Sequence, residues 1–463
     1  MTKKFEKQSP NRSQNSFNFC VRFSFRFVQP ALFAALLVML SAVATYSQTP
    51  DSLRLDQVIQ DVIKNNNRVV AARYMEQAAK AKVGPASAWD DPMLMLGVAN
   101  LPTSFDINDD PMTMKMVGLS QNIPYAGQKG LQSKAAKAEA SAAVEERYAV
   151  EVDMTMAARW AFADLYYRTK SLIDLGAQFE LLGDVVASAK AKLTVNEANQ
   201  DEVLGALAEQ WRLQAQILEA EHMVDESRYN LNILRGLDVI SDVPPLAMPD
   251  QSELPKAPDD WLAAAKLNYP PLQKLMRQSE AYGFSSTAAR RMSWPMLGLS
   301  ANYGFRSGYE TGLHGNILGK RLDMISFQAN ISLPIFAGRQ NRQEALAMNA
   351  MRQSVDAEAN QKWQEIETRL RLLHTTAIHL IETISLYRDR IIPAAQDAYQ
   401  SALAGYSANE VPYTNLLMFA TSIYRDRLAL NQFSDQLARA MAEIYSFTID
   451  PRSFTSEQRK NNR

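Results

Sequence analysis

The sequence predicts a mixed α+β membrane protein, internally duplicated, in which four short barrel strands are joined to two pairs of very long helices. Three observations predict it. The segments "MLGLSANYGF" at 296–305 and "MISFQANISL" at 324–333 alternate apolar and small polar residues without a break. Two runs, 129 to about 193 and 341 to about 406, keep apolar residues at the three- and four-residue spacing of a helix. The stretch "NEANQDEVL" from Asn196 lines up with "NEVPYTNLL" from Asn409, 213 residues later, and Gly127 lines up with Gly338, 211 residues later. Landmarks repeating at a nearly constant offset mark two copies of one unit.

Composition excludes several classes. A hydrophobic content of 47% against 21% charged residues is too apolar for a disordered chain. A net charge of −1 leaves no basic footprint, so no nucleic-acid partner is expected. His222, His314, His374 and His379 are scattered, and Cys20 is the one cysteine, so no Cys/His metal site is expected. His374 and His379 are five apart and do not share a helix face. No Gly-rich phosphate loop and no nucleophile motif is visible, so the sequence offers no catalytic residue and no cofactor, and an enzyme is not expected.

The first 44 residues read as a signal peptide. Lys3, Lys4, Lys7, Arg12, Arg22 and Arg26 precede an apolar run at 31–43, and Ala42 and Ala44 supply an A-x-A cleavage site. The run is about 13 residues, short of the roughly 20 that span a bilayer. Cys20 lies before the run, where it cannot be a lipoprotein cysteine. After residue 50 no apolar run approaches the length of a spanning helix, so any further membrane contact is expected through strands.

The strands come in two pairs, at about 92–123 and about 296–333. In the last, Ile325, Phe327 and Ile331 share a face that is expected to meet lipid, and Ser326, Gln328 and Asn330 share the face expected to line a lumen. A soluble half-buried hairpin is the alternative, and the small, almost uncharged polar residues favour a barrel. The first pair, "PMLMLGVAN" from Pro92 and "PMTMKMVGLSQNIP" from Pro111, alternates less cleanly. Met112, Met114 and Met116 lie opposite Thr113 and Lys115. With Met93 and Met95 they are expected on the lipid face; the alternative is a set of thioethers, soft ligands that suit Cu(I).

Each second strand ends in similar punctuation, "NIPYAGQKG" from Asn122 and "SLPIFAGRQN" from Ser332. Proline cannot donate to a ladder, and glycine lets the chain turn into a helix. Helical hairpins follow at about 129–235 and about 341–447, with a kink expected at Pro393. Arms of roughly 65 residues would be about 95–100 Å long. The returning arms are expected at 201–235 and 413–447, and shorter helices at 55–65, 68–87, 261–268 and 272–292. The organisation is therefore a first repeat at 51–236, a Pro-rich linker at 237–260, a second repeat at 261–448 and a polar tail at 449–463. At the hairpin tips Asn196 and Asn409 are expected in the left-handed conformation that closes a helix. Asn199 is expected to cap the returning helix with Glu202 in capping-box register, and Pro412 to occupy a first-turn position.

Four strands cannot close a membrane barrel, since about eight is the smallest number seen, and open edges in lipid leave backbone groups unsatisfied. Two or more chains must cooperate. Over 51–450 the duplication, "LSQNIPYAGQKG", "ISLPIFAGRQ" and both tips resemble the outer-membrane factor (TolC-like) family. The resemblance implies a homotrimer with a 12-stranded barrel in the outer membrane, continued by a helical tunnel in the periplasm. It implies a passive exit duct for metal cations or small toxic compounds, serving an inner-membrane pump of the RND type. A periplasmic adaptor would dock at the tips, on Asn196, Glu197, Asn199, Asn409, Glu410 and Pro412. The strand running into "SQNIP" looks most like the branch serving heavy-metal and cation exporters. Two departures stand out: the family usually has Gly where Asn196 and Asn409 stand, and the acidic ring some members carry at the tunnel entrance aligns with Asn415 and Met418. Glu202, with Asn415, is then the candidate for a gate. A type I protein secretion channel and a non-channel structural coiled coil are the alternatives; the second leaves the alternating strands unexplained.

Overall fold

The computed structural model describes residues 52–107, 109–249, 258–311 and 317–453. The signal-peptide reading of 1–44 and most of the polar tail lie outside the described residues.

Three short helices open the chain: α1 (Leu55–Asn65), α2 (Asn67–Ala81) and α3 (Val83–Ser87). Between α1 and α2, the Asn66 side chain accepts a hydrogen bond from the Arg68 amide at 2.9 Å and so caps the second helix. Strands β1 (Met93–Ala99) and β2 (Met114–Ile123) follow, the second starting later than expected. Residues 111–113 instead form the end of the connecting turn, where the Thr113 hydroxyl donates to the Asn100 carbonyl at 2.8 Å.

Gly127, at φ 87°, turns the chain into α4 (Gln128–Thr194). Its 67 residues make a rod of about 100 Å. No isolated helix of this length is held by propensity alone; it needs partners along its length. Those partners are α5 (Gln200–Arg235), α7 (Pro270–Arg291) and α10 (Tyr413–Thr448). Nearer its start, α4 buries small residues (Ala135, Ala138, Ala142 and Ala149), and further along it buries larger ones (Leu175, Leu182 and Val185).

The second half follows the same order. After α6 (Pro258–Asn268) and α7 come β3 (Met296–Arg306), a small hairpin of β4 (Tyr309–Thr311) and β5 (Ile317–Lys320), and β6 (Met324–Ser332). The outgoing helix is α8 (Ala337–Leu386), then a π-turn at Tyr387–Ile391, then α9 (Ile392–Ser407). Pro393 therefore interrupts the helix, as expected, but by widening a turn rather than by a simple kink. Proline lacks the N–H that would bond four residues back, and its ring needs room there. The π-turn supplies a wider turn, closed by the Ile392 amide on the Tyr387 carbonyl.

Apolar clusters fix the helices. Val58, Val62 and Val69 pack with Phe162, Leu165 and Leu231, joining the opening helices to α4 and α5. Trp261, Leu262 and Leu272 pack with Ile366, Leu370 and Ile444 in the corresponding place of the second half. Towards the tips Leu182, Val185 and Leu213 pack with Tyr406, Tyr413 and Leu416, so both hairpins share one core. The Pro-rich stretch after α5 is not a free spacer along its whole length. The Leu53 amide donates to the Pro245 carbonyl at 2.8 Å and the Ala247 amide to the Leu53 carbonyl at 3.0 Å, which pins it to the start of α1.

Candidate functional site

The main sheet has the order β1-β2-β3-β6, every pair antiparallel. Its register fixes which residues share a face. One face carries Leu94, Leu96, Val117, Leu119, Leu299, Tyr303, Phe305, Ile325, Phe327 and Ile331, all exposed. The other carries Ser120, Gly298, Ser300, Asn302, Ser326, Gln328 and Asn330, and the buried strand positions Gly118, Ser300, Asn302 and Gly304 all belong to it. On the central strands β2 and β3 the polar face is the sheltered one, whereas Ser326, Gln328 and Asn330 on the edge strand β6 are exposed, and Phe327 on the apolar face is 83% exposed. Water does not sustain such an apolar expanse; soluble chains seldom show patches of this kind unless something covers them.

The methionines fall on the unexpected face. Met93 pairs with Ser120, Met95 with Gly118, Met116 with Gly304, Met114 with Arg306, and Met324 and Met296 with Gly304 and Ser332. All the methionines of these strands thus lie with the small polar residues, and Lys115 lies on the apolar face opposite Phe305. Met93, Met95, Met114 and Met116, expected on the same face as Ile325, Phe327 and Ile331, lie on the opposite one. Alternation within one strand says which residues share a face but not which face; that depends on the pairing with the next strand.

At the far end the two hairpin tips are built alike. Asn196 has φ 60° and Asn409 φ 64°, the left-handed conformation expected of them. In the first tip the Glu197 amide donates to the Lys192 carbonyl at 2.9 Å and the Asn196 amide to the Leu193 carbonyl at 3.2 Å. In the second, the Glu410 amide donates to the Gly405 carbonyl at 2.8 Å and the Asn409 amide to the Tyr406 carbonyl at 3.2 Å. Both are Schellman closures, with the last carbonyls of the helix satisfied by the residues beyond it. Asn tolerates this backbone because its short polar side chain reduces the penalty that bulkier residues face.

The tips are also tied to each other. The Lys192 ammonium donates to the Tyr406 carbonyl and to the Asn409 side-chain oxygen, and sits 4.5 Å from the centre of the Tyr406 ring. The Asn409 amide group donates to the Glu197 carboxylate at 3.3 Å. The Tyr406 hydroxyl donates to Glu202 at 3.1 Å. Burial, then the bond to the Glu202 carboxylate, pushes the Tyr406 phenol up to about 12.

Two expectations need correcting here. Asn199 does stand at the N-cap of α5, but its side chain makes no capping bond, and Glu202 does not close a capping box. Glu202 is drawn across to Tyr406 instead, while its amide bonds the Asn199 carbonyl at 3.2 Å. Pro412 is the N-cap of α10 rather than a residue of its first turn. Asn415 and Glu410 are exposed, and Asn415 lies on the first turn of α10. Lys192 and Tyr406 were not singled out by sequence. A lysine in the last turn of a helix normally reads as a solvated partner of the helix dipole.

Comparison with known proteins follows the same lines. Residues 261–448 match the family model "Outer membrane efflux protein". No curated protein matches the sequence significantly. The fold is similar to that of solved outer-membrane channels. Against CusC, from a study of transmembrane channel formation, the TM-score is 0.71 at 16% identity, covering 86% of this chain and 92% of that one. Against VceC of Vibrio cholerae it is 0.70 at 15% identity, covering 85% and 95%. Against the open-state MtrE channel of Neisseria gonorrhoeae it is 0.68 at 16% identity, covering 85% and 88%.

Proposed function

Since residues 261–448 match the outer membrane efflux protein family and the fold is that of outer-membrane channels, we propose that this chain is an outer-membrane efflux duct. The observation that carries the reading is the inverted sheet. Its exposed apolar face needs lipid, and its opposite face of small polar residues, sheltered on the central strands, suits a water-filled lumen. Strands β1 and β6 each have one unpaired edge, which lipid does not tolerate. Three copies would close twelve strands into a barrel wide enough for a polar channel. The long helices would continue it as a tunnel into the periplasm.

The helices support the same assembly. On α5, Leu204, Trp211 and Leu218 are exposed at seven-residue spacing, and on α8, Leu372, Ile378 and Ile381 are exposed. Neighbouring protomers would cover these stripes as helix packs on helix.

In this reading the duct conducts passively, and metal cations or small toxic compounds are the cargo. An inner-membrane pump supplies it through a periplasmic adaptor that docks on the tips around Asn196, Glu197, Asn409 and Glu410. Glu202, held by Tyr406, belongs to the latch that keeps the tips together. The test is reconstitution of the purified protein in planar bilayers. Discrete single-channel currents from a detergent-resistant oligomer are expected. A folded protein that stays monomeric and passes no current would overturn the proposal.

A further inference from the structure

The two halves of the chain correspond element by element. α1 and α6 begin at Leu55 and Pro258, α2 and α7 at Asn67 and Pro270, and β1 and β3 at Met93 and Met296, each 203 residues apart. The strand pairing repeats as well. Met93 lies opposite Ser120 and Met296 opposite Ser332, and every pair of β1 with β2 reappears in β3 with β6 at offsets of 203 (93 to 296) and 212 (120 to 332).

Between these hairpins β2 pairs with β3, which sets Leu119 opposite Ala301 and Gln121 opposite Leu299. This middle seam joins the first half to the second. The reciprocal seam is open: β6, the counterpart of β2, and β1, the counterpart of β3, each end the sheet on an unpaired edge. The helices leave the same gap. α4 packs on α7 and α10 of the second half as well as on its own, whereas its counterpart α8 packs on α6, α7 and α10 of its own half. Asn431 of α10 donates to Ser171 and Asp174 of α4 at 3.2 and 2.8 Å. Its counterpart on α5, 213 residues earlier, is Leu218, which is 59% exposed.

We propose that the middle seam is repeated between protomers, with β6 of one chain pairing antiparallel with β1 of the next and α8 lying on α2 and α5 of that neighbour. This interface rests on the duct reading and deepens it by naming the partner, a second copy of this chain, and the register. Carrying the middle seam over by the two offsets puts Ile331 opposite Val98 of the next protomer, and Leu333 opposite its Leu96. All four are exposed apolar residues, so the carried-over register joins apolar to apolar. A slip of one residue would set Val98 against Ser332 or Asn330 and turn one strand's apolar side to the lumen. Two different edges meet, so the contact is head to tail, the kind that generates a closed ring when the rotation between copies closes.

The experiment uses the full-length chain carrying Cys20→Ser, Val98→Cys and Ile331→Cys, oxidised in the membrane. Directly opposite residues have Cβ atoms about 4.5–5.5 Å apart, while diagonal ones lie about 7–8 Å apart, beyond the reach of a disulfide. Disulfide-linked dimers and trimers are expected on denaturing gels, at least tenfold more than when Val98→Cys is combined with Ala329→Cys or Leu333→Cys. Each single-cysteine variant should run as a monomer. Dominant linkage in either of the shifted pairs, or dimers from Ile331→Cys alone, overturns the seam. Amide hydrogen exchange of the unmodified oligomer is a second readout that needs no variant. β1 and β6 should be protected as strongly as β2 and β3, and free exchange along either edge overturns the seam. Single-channel current from the reduced proteins separates the two readings. Current without linkage of the Val98→Cys/Ile331→Cys pair keeps the duct and removes this seam; absence of both oligomer and current removes the duct and the seam with it.

Discussion

Tyr406 and Glu202, 204 residues apart in the chain, meet at 3.1 Å, the phenol donating to the carboxylate across the gap between the two hairpins. Beside them Lys192 reaches over to the Tyr406 carbonyl and to Asn409. The links join the ends of helices whose cores are already shared higher up, so they govern the tips rather than the fold.

Tyr406→Phe should loosen the tips without unfolding the chain. A hydrogen bond to a charged group contributes about 1.5–3 kcal/mol, and the ring that packs against Tyr413 stays in place. The expected outcome is a larger or more frequent open state in single-channel recordings, with little change in oligomer stability. With its phenol pushed up to about 12, Tyr406 remains a donor throughout the neutral range. An unaltered open probability would remove this bond from the latch.

Position 331 and position 328 should respond oppositely to the same charge. Ile331 lies on the exposed apolar face, where an arginine at the membrane midplane costs about 2–4 kcal/mol. Gln328 lies on the polar face, where its amide bonds Asn330 at 3.0 Å. Ile331→Arg should impair assembly, seen as loss of the heat-modifiable oligomer. Gln328→Arg should assemble and shift ion selectivity towards anions. The reverse pattern would mean that the lumen is on the other face.

Topology gives a third prediction. The loop containing Asp106 joins β1 to β2 at the end away from the long helices, so it should face the exterior, while Asn196 lies at the other extreme. Asp106→Cys should be labelled by an impermeant maleimide on intact cells, and Asn196→Cys only after the outer membrane is breached. Labelling in the opposite order would invert the proposed orientation.

The sequence made the strands and helices legible because their periods are local properties. The strict alternation of 324–332 and the proline that follows it are enough to mark β6, and the left-handed Asn residues follow from the helix breaks alone. What was not legible depends on residues far apart. The methionine face required the register of Met116 against Gly304, 188 positions on, and Glu202 looked like a cap residue because its partner sits in the other hairpin. The π-turn before Pro393 was signalled only as a break, since sequence marks where a helix must yield but not how.

Asn196 and Asn409, alike in backbone, should differ when each is replaced by glycine. Glycine adopts the left-handed conformation freely, so both turns should survive. Asn409→Gly, however, deletes the side chain that bonds Lys192 and Glu197. Asn196→Gly should leave conductance and melting near the native values, whereas Asn409→Gly should resemble Tyr406→Phe. Equal behaviour of the two would mean that the cross-tip bonds do not matter to the channel.

The tips also allow docking to be separated from the latch. Glu197 accepts a bond from Asn409, so reversing its charge would disturb the latch and any adaptor contact together. Glu410 is the cleaner probe: its side chain is exposed, and only its amide serves the turn, on the Gly405 carbonyl. Glu410→Lys therefore keeps the Schellman closure while reversing the charge presented at the periplasmic mouth. In a trimer the change would recur three times around the ring, where charges a few ångströms from a partner act more strongly than isolated rim charges do. We expect the variant to form channels with native conductance but to lose adaptor cross-linking and export. Native export by Glu410→Lys would exclude charge at this position from the docking surface and leave the turn as a helix stop alone.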